Sequence, residues 1–229
     1  MDNKSRARNT TMGAMLMTAF AIGSYVTIPV FVLPLITKFG VGAGEVTLIF
    51  MFAGIGGLVT SLLLGTLMKK IPVKILVVSA GILLALFFVV LGLSTSLNVI
   101  YVGAIIFGYT TTVGAFGVAQ TVINWWNATN VAKKISLVSV AVGISGMVFP
   151  ILSGVLINII GFTATSIGIG LIAGSVMVVC GLFLISEHPS KYGMTAIGAE
   201  EAAQQAAQAQ AEQKPEKYMS VKQIISTPY

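Results

Sequence analysis

A few uncharged side chains on two apolar segments hold the groups best suited to contact a solute. On the segment from about residue 97 to Val122, Thr112, Phe116 and Gln120 recur every fourth residue, with Tyr109 three residues earlier. Helical geometry would place their phenol, hydroxyl, ring and amide on one face. On the first apolar segment Thr18, Tyr25 and Pro29 share a face in the same way. Such groups hold a ligand by hydrogen bonding and shape, and the same groups equally tie one membrane helix to another. Between Thr11 and Ser186 no Asp, Glu, Lys or Arg lies deep in an apolar run, Glu45 being at an end. The segments therefore carry no proton relay or charged counter-ion of the usual intramembrane kind.

Other chemistries find no footing in these residue types. His188 is the single histidine and stands just past an apolar run, so a loop role is expected for it. Cys180, the single cysteine, is placed as a small packing residue. No nucleophile has a base at motif spacing, no His/Cys/carboxylate set fits a metal, and no phosphate-binding glycine loop occurs. Neither an enzyme nor a cofactor or metal is expected.

The elements that must position these groups follow from composition. Of 229 residues 56% are hydrophobic and 9% charged, and the mean hydropathy is +0.96. A soluble domain of this size has no surface for that composition, so the chain reads as an all-α polytopic membrane protein. The net charge of +6 is spread over short loops instead of one patch, which argues against nucleic acid as a partner and for orientation in a bilayer.

Six apolar runs are each about long enough to cross a hydrocarbon core of roughly 20 helical residues. They cover about Thr11 to Thr37, Glu45 to Met68, Lys74 to Leu93, 97 to Val122, Ile135 to Ile160 and Thr165 to Ile185. Pro29 and Pro34 lie in the outer half of the first, where each frees a backbone carbonyl and bends the helix. Gly54, Gly56, Gly57, Ser61 and Gly65 give the second a face of small residues for close packing. Trp125 and Trp126 are expected as an interfacial anchor, and Gly161 as the turn between the last two runs. Lys4, Arg6, Arg8, Lys69, Lys70, Lys74, Lys133, Lys134 and Lys191 gather at alternate span ends, against Lys38 alone at the other. That asymmetry predicts both termini on the cytoplasmic side of the cell membrane.

The chain also repeats itself. One fixed shift lays Gly54, Ile55 and Gly57 on Gly143, Ile144 and Gly146, and Gly65 and Leu67 on Gly154 and Leu156, with Pro72 on Gly161 and Gly81 on Gly170. The two copies differ as oppositely oriented units require, MKKIPVK being charged and NIIGFTA not.

The turn GTLMKKIPVK, Gly65 to Lys74, resembles the signature loop G-x-L-x-D-R-x-G-R-[RK] of the major facilitator superfamily of transporters. Gly65, Leu67, Lys70 and Lys74 fit, whereas Lys69 replaces the acid, Pro72 the second glycine and Val73 a basic position. The chain most resembles the oxalate/formate antiporters in YVTIPVFVLPLITKFG, in INWWNATNVAKKIS and in HPSKYG. The resemblance implies a secondary transporter of a small organic anion. It also implies a three-plus-three inverted repeat, about residues 11–94 and 97–186, and a cavity lined by the first and fourth helices. Tyr25, Pro29, Tyr109, Thr112, Phe116 and Gln120 are then the substrate-cavity candidates, and Gly65, Lys69, Lys70 and Lys74 the gating and topology loop. The remaining stretches are a cytoplasmic amino terminus, 1–10, and a central-loop segment, 187–229, leading toward a second six-helix half. Its Glu200 to Lys217 stretch is Ala/Gln-rich, as flexible linkers are, and Tyr218 to Tyr229 regains apolar periodicity. The partners implied are a small-molecule solute, the lipid bilayer and that second half. Two rivals share the same spans: a six-helix membrane scaffold or receptor-like subunit, and a half-size transporter acting as a dimer.

If the lysine turn sets orientation, replacing Lys69 and Lys70 together by Glu will weaken the topology bias of a reporter fused after the second span, with Lys133 and Lys134 retaining part of it.

Overall fold

The computed structural model describes residues 3–201, and all of the long elements are helices. They are α1 (Asn3–Phe39), α2 (Ala43–Lys70), α3 (Val73–Leu93), α4 (Leu97–Gly114), α5 (Phe116–Trp126) and α6 (Val131–Val179), followed by a π-turn, Cys180–Leu184, and a short 3₁₀ turn, Pro189–Tyr192. The uncharged runs dictate this, since a backbone in hydrocarbon must satisfy its own N–H and C=O groups. α6 is two spans in one, because Gly161 interrupts it with φ 82° and ψ 165°, a conformation open to glycine alone. The expected turn at Gly161 is therefore present, and the arms on either side of it bring the apolar spans to six.

Two boundaries differ from the sequence reading. The fourth span is two helices, broken at Ala115, whose φ of -81° and ψ of -169° are extended. The amino-terminal stretch 1–10 is no separate tail in its described part, because α1 is helical from Asn3. Contact with the last span extends it: Thr10 is buried, its hydroxyl donates to the Leu184 carbonyl at 3.4 Å, and it accepts from the Ser186 N–H at 3.2 Å. The Ala/Gln-rich stretch from residue 202 onward and Tyr218 to Tyr229 lie outside the described residues.

The helices pair closely where side chains vanish. α2 crosses α4 with Gly56 against the Ile105 carbonyl and Gly108 against the Ala53 carbonyl, so a Cβ at either would collide with backbone. α3 crosses the second arm of α6 in the same manner, a Cβ on Gly81 falling 2.8 Å from the Gly174 oxygen. Ser166 adds a hydrogen bond there, its hydroxyl donating to the Phe88 carbonyl at 2.8 Å. α1 packs along the first arm, where the Phe20 and Phe149 rings meet edge to face at 5.3 Å. The small-residue face expected on the second span is thus divided: Gly56 and Gly57 meet α4, whereas Gly54 and Gly65 face open space and Ser61 is exposed.

Between these crossings an aromatic cluster fills the centre. Phe107 stacks on Phe87 at 4.3 Å and meets Phe88 edge-on at 5.8 Å, and Phe31 joins Phe88 to Phe162. Phe31, Phe88 and Phe107 are fully buried. Cys180 is also buried, as expected of a packing residue.

Gly108→Ala, which forces α4 off α2, is expected to cost about 1–3 kcal/mol of stability, as overpacking does. Gly54→Ala on the open face will leave it unchanged or slightly higher, and thermal unfolding in detergent, followed by size-exclusion chromatography, separates the two.

Candidate functional site

Three helices meet at the break in the fourth span. There a cleft of about 230 Å³ is lined by Ile22 and Tyr25 of α1, by Ala53, Gly54 and Gly57 of α2, and by Thr111, Thr112 and Ala115. Each wall has a local cause. Tyr25 is held by its ring, stacked on Phe107 at 6.0 Å and edge-on to Phe50 at 6.2 Å. The glycines of α2 keep that wall low. The Thr112 hydroxyl donates to the Gly57 carbonyl at 3.4 Å, tying α4 to α2. Thr111 donates back to the Phe107 and Gly108 carbonyls, both at 3.1 Å.

The break adds backbone polarity. α4 ends with the Ala115 N–H on the Thr112 carbonyl at 3.3 Å, and α5 begins at Phe116 beside the cleft. The first N–H groups of a helix have no intrahelical partner, and together they carry a partial positive charge. One turn further along α1, Pro29 is exposed and has no N–H to return to the Tyr25 carbonyl, which is left without its helical partner. The cleft can therefore offer hydroxyls, a ring and backbone dipoles to a small solute, and no ionised side chain lines it.

The predicted residues separate into groups. Tyr25 and Thr112 are brought together in the cleft. Tyr109 points elsewhere: its hydroxyl lies 2.8 Å from the Ser79 hydroxyl and 3.5 Å from the Leu76 carbonyl, both on α3. It fastens α4 to α3, whereas Thr18 is buried and returns its hydroxyl to the Ala14 carbonyl of its own helix at 2.8 Å. Phe116 and Gln120 fall beyond the break on α5, Phe116 half-buried and Gln120 exposed. The four-residue stripe expected of one continuous helix is therefore cut at Ala115. Thr111 was not among the candidates; its neighbour Thr110, fully buried and bonded to the Phe107 carbonyl, shows why the Thr run by itself does not reveal which hydroxyl faces the cleft.

The lysine turn lies at one end of the bundle, with the first turns of α1 and α6. Lys69 and Lys70 are exposed in the last turn of α2, where cations suit the helix dipole, and Gly65 faces open space. A carboxylate from another part of the chain reaches the end of this turn. Glu187 accepts from the Lys74 backbone N–H at 3.2 Å, placing a carboxylate at the start of α3, and pairs with Lys191 at 3.4 Å. The Lys74 ammonium meanwhile donates to the Leu182 carbonyl at 3.4 Å.

Trp126 corrects the sequence reading more sharply. Its ring is fully buried within the protein, not turned outward as a lipid-facing anchor would be, and its indole N–H donates to the Glu187 carbonyl at 3.0 Å and the Ser186 carbonyl at 3.4 Å. Trp125 sits against the His188 ring at 5.3 Å. Backbone bonds complete the closure, from the Ala128 N–H to the Ile197 carbonyl at 2.8 Å and from the Ile197 N–H to the Trp126 carbonyl at 3.0 Å. Residues 187–201, read as the start of a loop, are folded onto the bundle by these contacts.

A family model described as the Major Facilitator Superfamily matches residues 13–228. No curated protein matches the chain.

Because the Tyr109 phenol is spent on α3, Tyr109→Phe is expected to lower stability by about 0.5–1.5 kcal/mol, the net worth of one such bond. A double-mutant cycle with Ser79→Ala will show coupling between the two, and neither change will alter solute affinity.

Proposed function

We propose, from the premise that the chain belongs to the Major Facilitator Superfamily and is a multi-pass membrane transporter, that it carries a small organic anion by alternating access as a secondary active transporter. The observation that carries this reading is the cleft in which Tyr25 of the first span and Thr112 of the fourth meet beside a broken helix. Interrupted helices with exposed backbone ends are how secondary transporters commonly hold solutes within the membrane. The anion and its small carboxylate class come from the sequence resemblance, and the partial positive charge at the start of α5 is compatible with it.

The helix pairing supports a three-plus-three inverted repeat. Exchanging the first three spans for the last three turns the α1 contact with the first arm of α6 into the α4 contact with α2. The same exchange returns the α3 contact with the second arm to itself. In this reading the lysine-rich end is cytoplasmic, with both termini on that side of the cell membrane, and Gly65, Lys69, Lys70 and Lys74 form a gating and topology turn. A second six-helix body faces the cleft and completes it, with Pro29, Phe116 and Gln120 on the walls of the wider cavity. Two copies of the present bundle forming such a cavity is the rival arrangement.

The test is accessibility together with flux. In the full-length protein reconstituted in liposomes, Gln120→Cys and Tyr25→Cys are expected to react with a small aqueous thiol reagent. Transported carboxylates should slow that reaction, and preloading with carboxylate should accelerate uptake of a labelled one. Inertness of both thiols from both sides would falsify the cavity assignment, and uptake that preloading does not accelerate would point to symport or uniport instead of exchange.

A further inference from the structure

We propose that the groove between the first turns of α1 and of α6 is a binding site for one anionic phospholipid. The proposal rests on the chain spanning a membrane and is independent of which solute it carries. The groove has a volume of about 430 Å³, with Met12, Met15 and Leu137 among its walls and Lys4, Arg8 and Lys134 at its rim.

Lys4 and Arg8 stand four residues apart on one face of α1, where like charges repel unless an anion lies between them. Among the described residues the one ion pair is Lys191 with Glu187; none of the three rim cations has a carboxylate within ion-pair distance, and the nearest candidates, Glu200 and Glu201, line a neighbouring pocket with Lys4. Lys134 gives one donor to the Asn127 side-chain oxygen, which fixes the ammonium at the rim and leaves its other hydrogens available. A phosphodiester accepts charge-assisted hydrogen bonds from such a set.

Depth and polarity select a lipid over a free anion. The first arm of α6 runs from Val131 to the break at Gly161, about 45 Å at 1.5 Å per residue. That exceeds a hydrocarbon core of about 30 Å and puts Lys134 at headgroup level. The methionines and the leucine lie one to two turns further in, at the level of the first acyl carbons. A water-soluble anion gains nothing from them, whereas an acyl chain buries apolar surface on them. Basic pockets between membrane helices near a charged leaflet recognise lipid headgroups in this manner.

The experiment uses full-length protein in lipid nanodiscs containing phosphatidylglycerol with a photoactivatable acyl chain, followed by peptide mapping. Labelling is expected on the peptides bearing Met12, Met15 and Leu137, competed about tenfold better by unlabelled phosphatidylglycerol than by phosphatidylcholine. Arg8→Gln with Lys134→Gln should abolish that preference, while Arg8→Lys with Lys134→Arg retains it, which separates loss of charge from loss of fold. Equal labelling by a phosphatidylcholine analogue would overturn the site, as would displacement by inorganic phosphate alone. So would crosslinks from the groove to residues beyond 201 in place of lipid, which would identify the chain itself as the occupant. None of these results bears on the counterflow measurement.

Discussion

The interaction on which the bundle depends is close backbone approach at glycine. In a bilayer, lipid tails are as apolar as leucine, so burying leucine supplies little drive for one helix to associate with another. What remains is dispersion, which needs surfaces to fit at short range. Gly56 and Gly108 supply that fit between α2 and α4, and Gly81 and Gly174 between α3 and the second arm of α6. Where the backbones diverge, the phenylalanine cluster around Phe107 fills the gap. The same constraint explains where irregular backbone occurs. Ala115 breaks its span beside a cleft that can hold water or solute, and Gly161 reverses the chain at the end of the bundle opposite the lysine turn, so neither leaves bare peptide groups facing hydrocarbon.

The lysine-rich end uses a different device. There the segment after the last span touches α1 through Thr10, α3 through Glu187 and α5 through Trp126. Each bond is worth about 0.5–1.5 kcal/mol net, but they converge on one short stretch, Leu184 to Glu187. Helices so joined at one end move together. Were the bundle to rock as a unit against a partner body, as the proposed alternating access has it, these contacts would supply the stiffness such a motion needs.

Much of this was legible in the sequence, for identifiable reasons. The spans, the lysine turn and the Gly161 reversal are governed by local composition, and a bilayer leaves few alternatives to a long uncharged run. The break at Ala115 was harder to read: Gly114 and Gly117 flank it and weaken the helix there, but glycines recur along the other spans without breaking them, so they do not single out this position. The break undid the four-residue stripe from Tyr109 to Gln120. Trp126 failed for a related reason. A Trp pair at a span end fits an interfacial belt, and only the returning chain, with carbonyls at Ser186 and Glu187, turns one ring inward. The contact of Glu187 with the start of α3 joins positions far apart in sequence, which no reading of the loop alone can reveal.

The charge-free cleft carries a consequence for the anion reading. A carboxylate moved from water into an apolar cleft costs many kcal/mol unless its charge is met. The start of α5 offers about half an elementary charge, and hydroxyls at Thr111 and Thr112 already donate to backbone carbonyls. This bundle alone therefore cannot hold an anion tightly. For the anion proposed above, the remaining charge would have to come from a second body facing the cleft, and it would act fully only when that body is near. Affinity then depends on the distance between the two, and binding favours the arrangement in which they approach. In the proposed arrangement a cleft without cations in one bundle would tie occupancy to conformation, since a site complete within a single rigid body would bind equally well in every state.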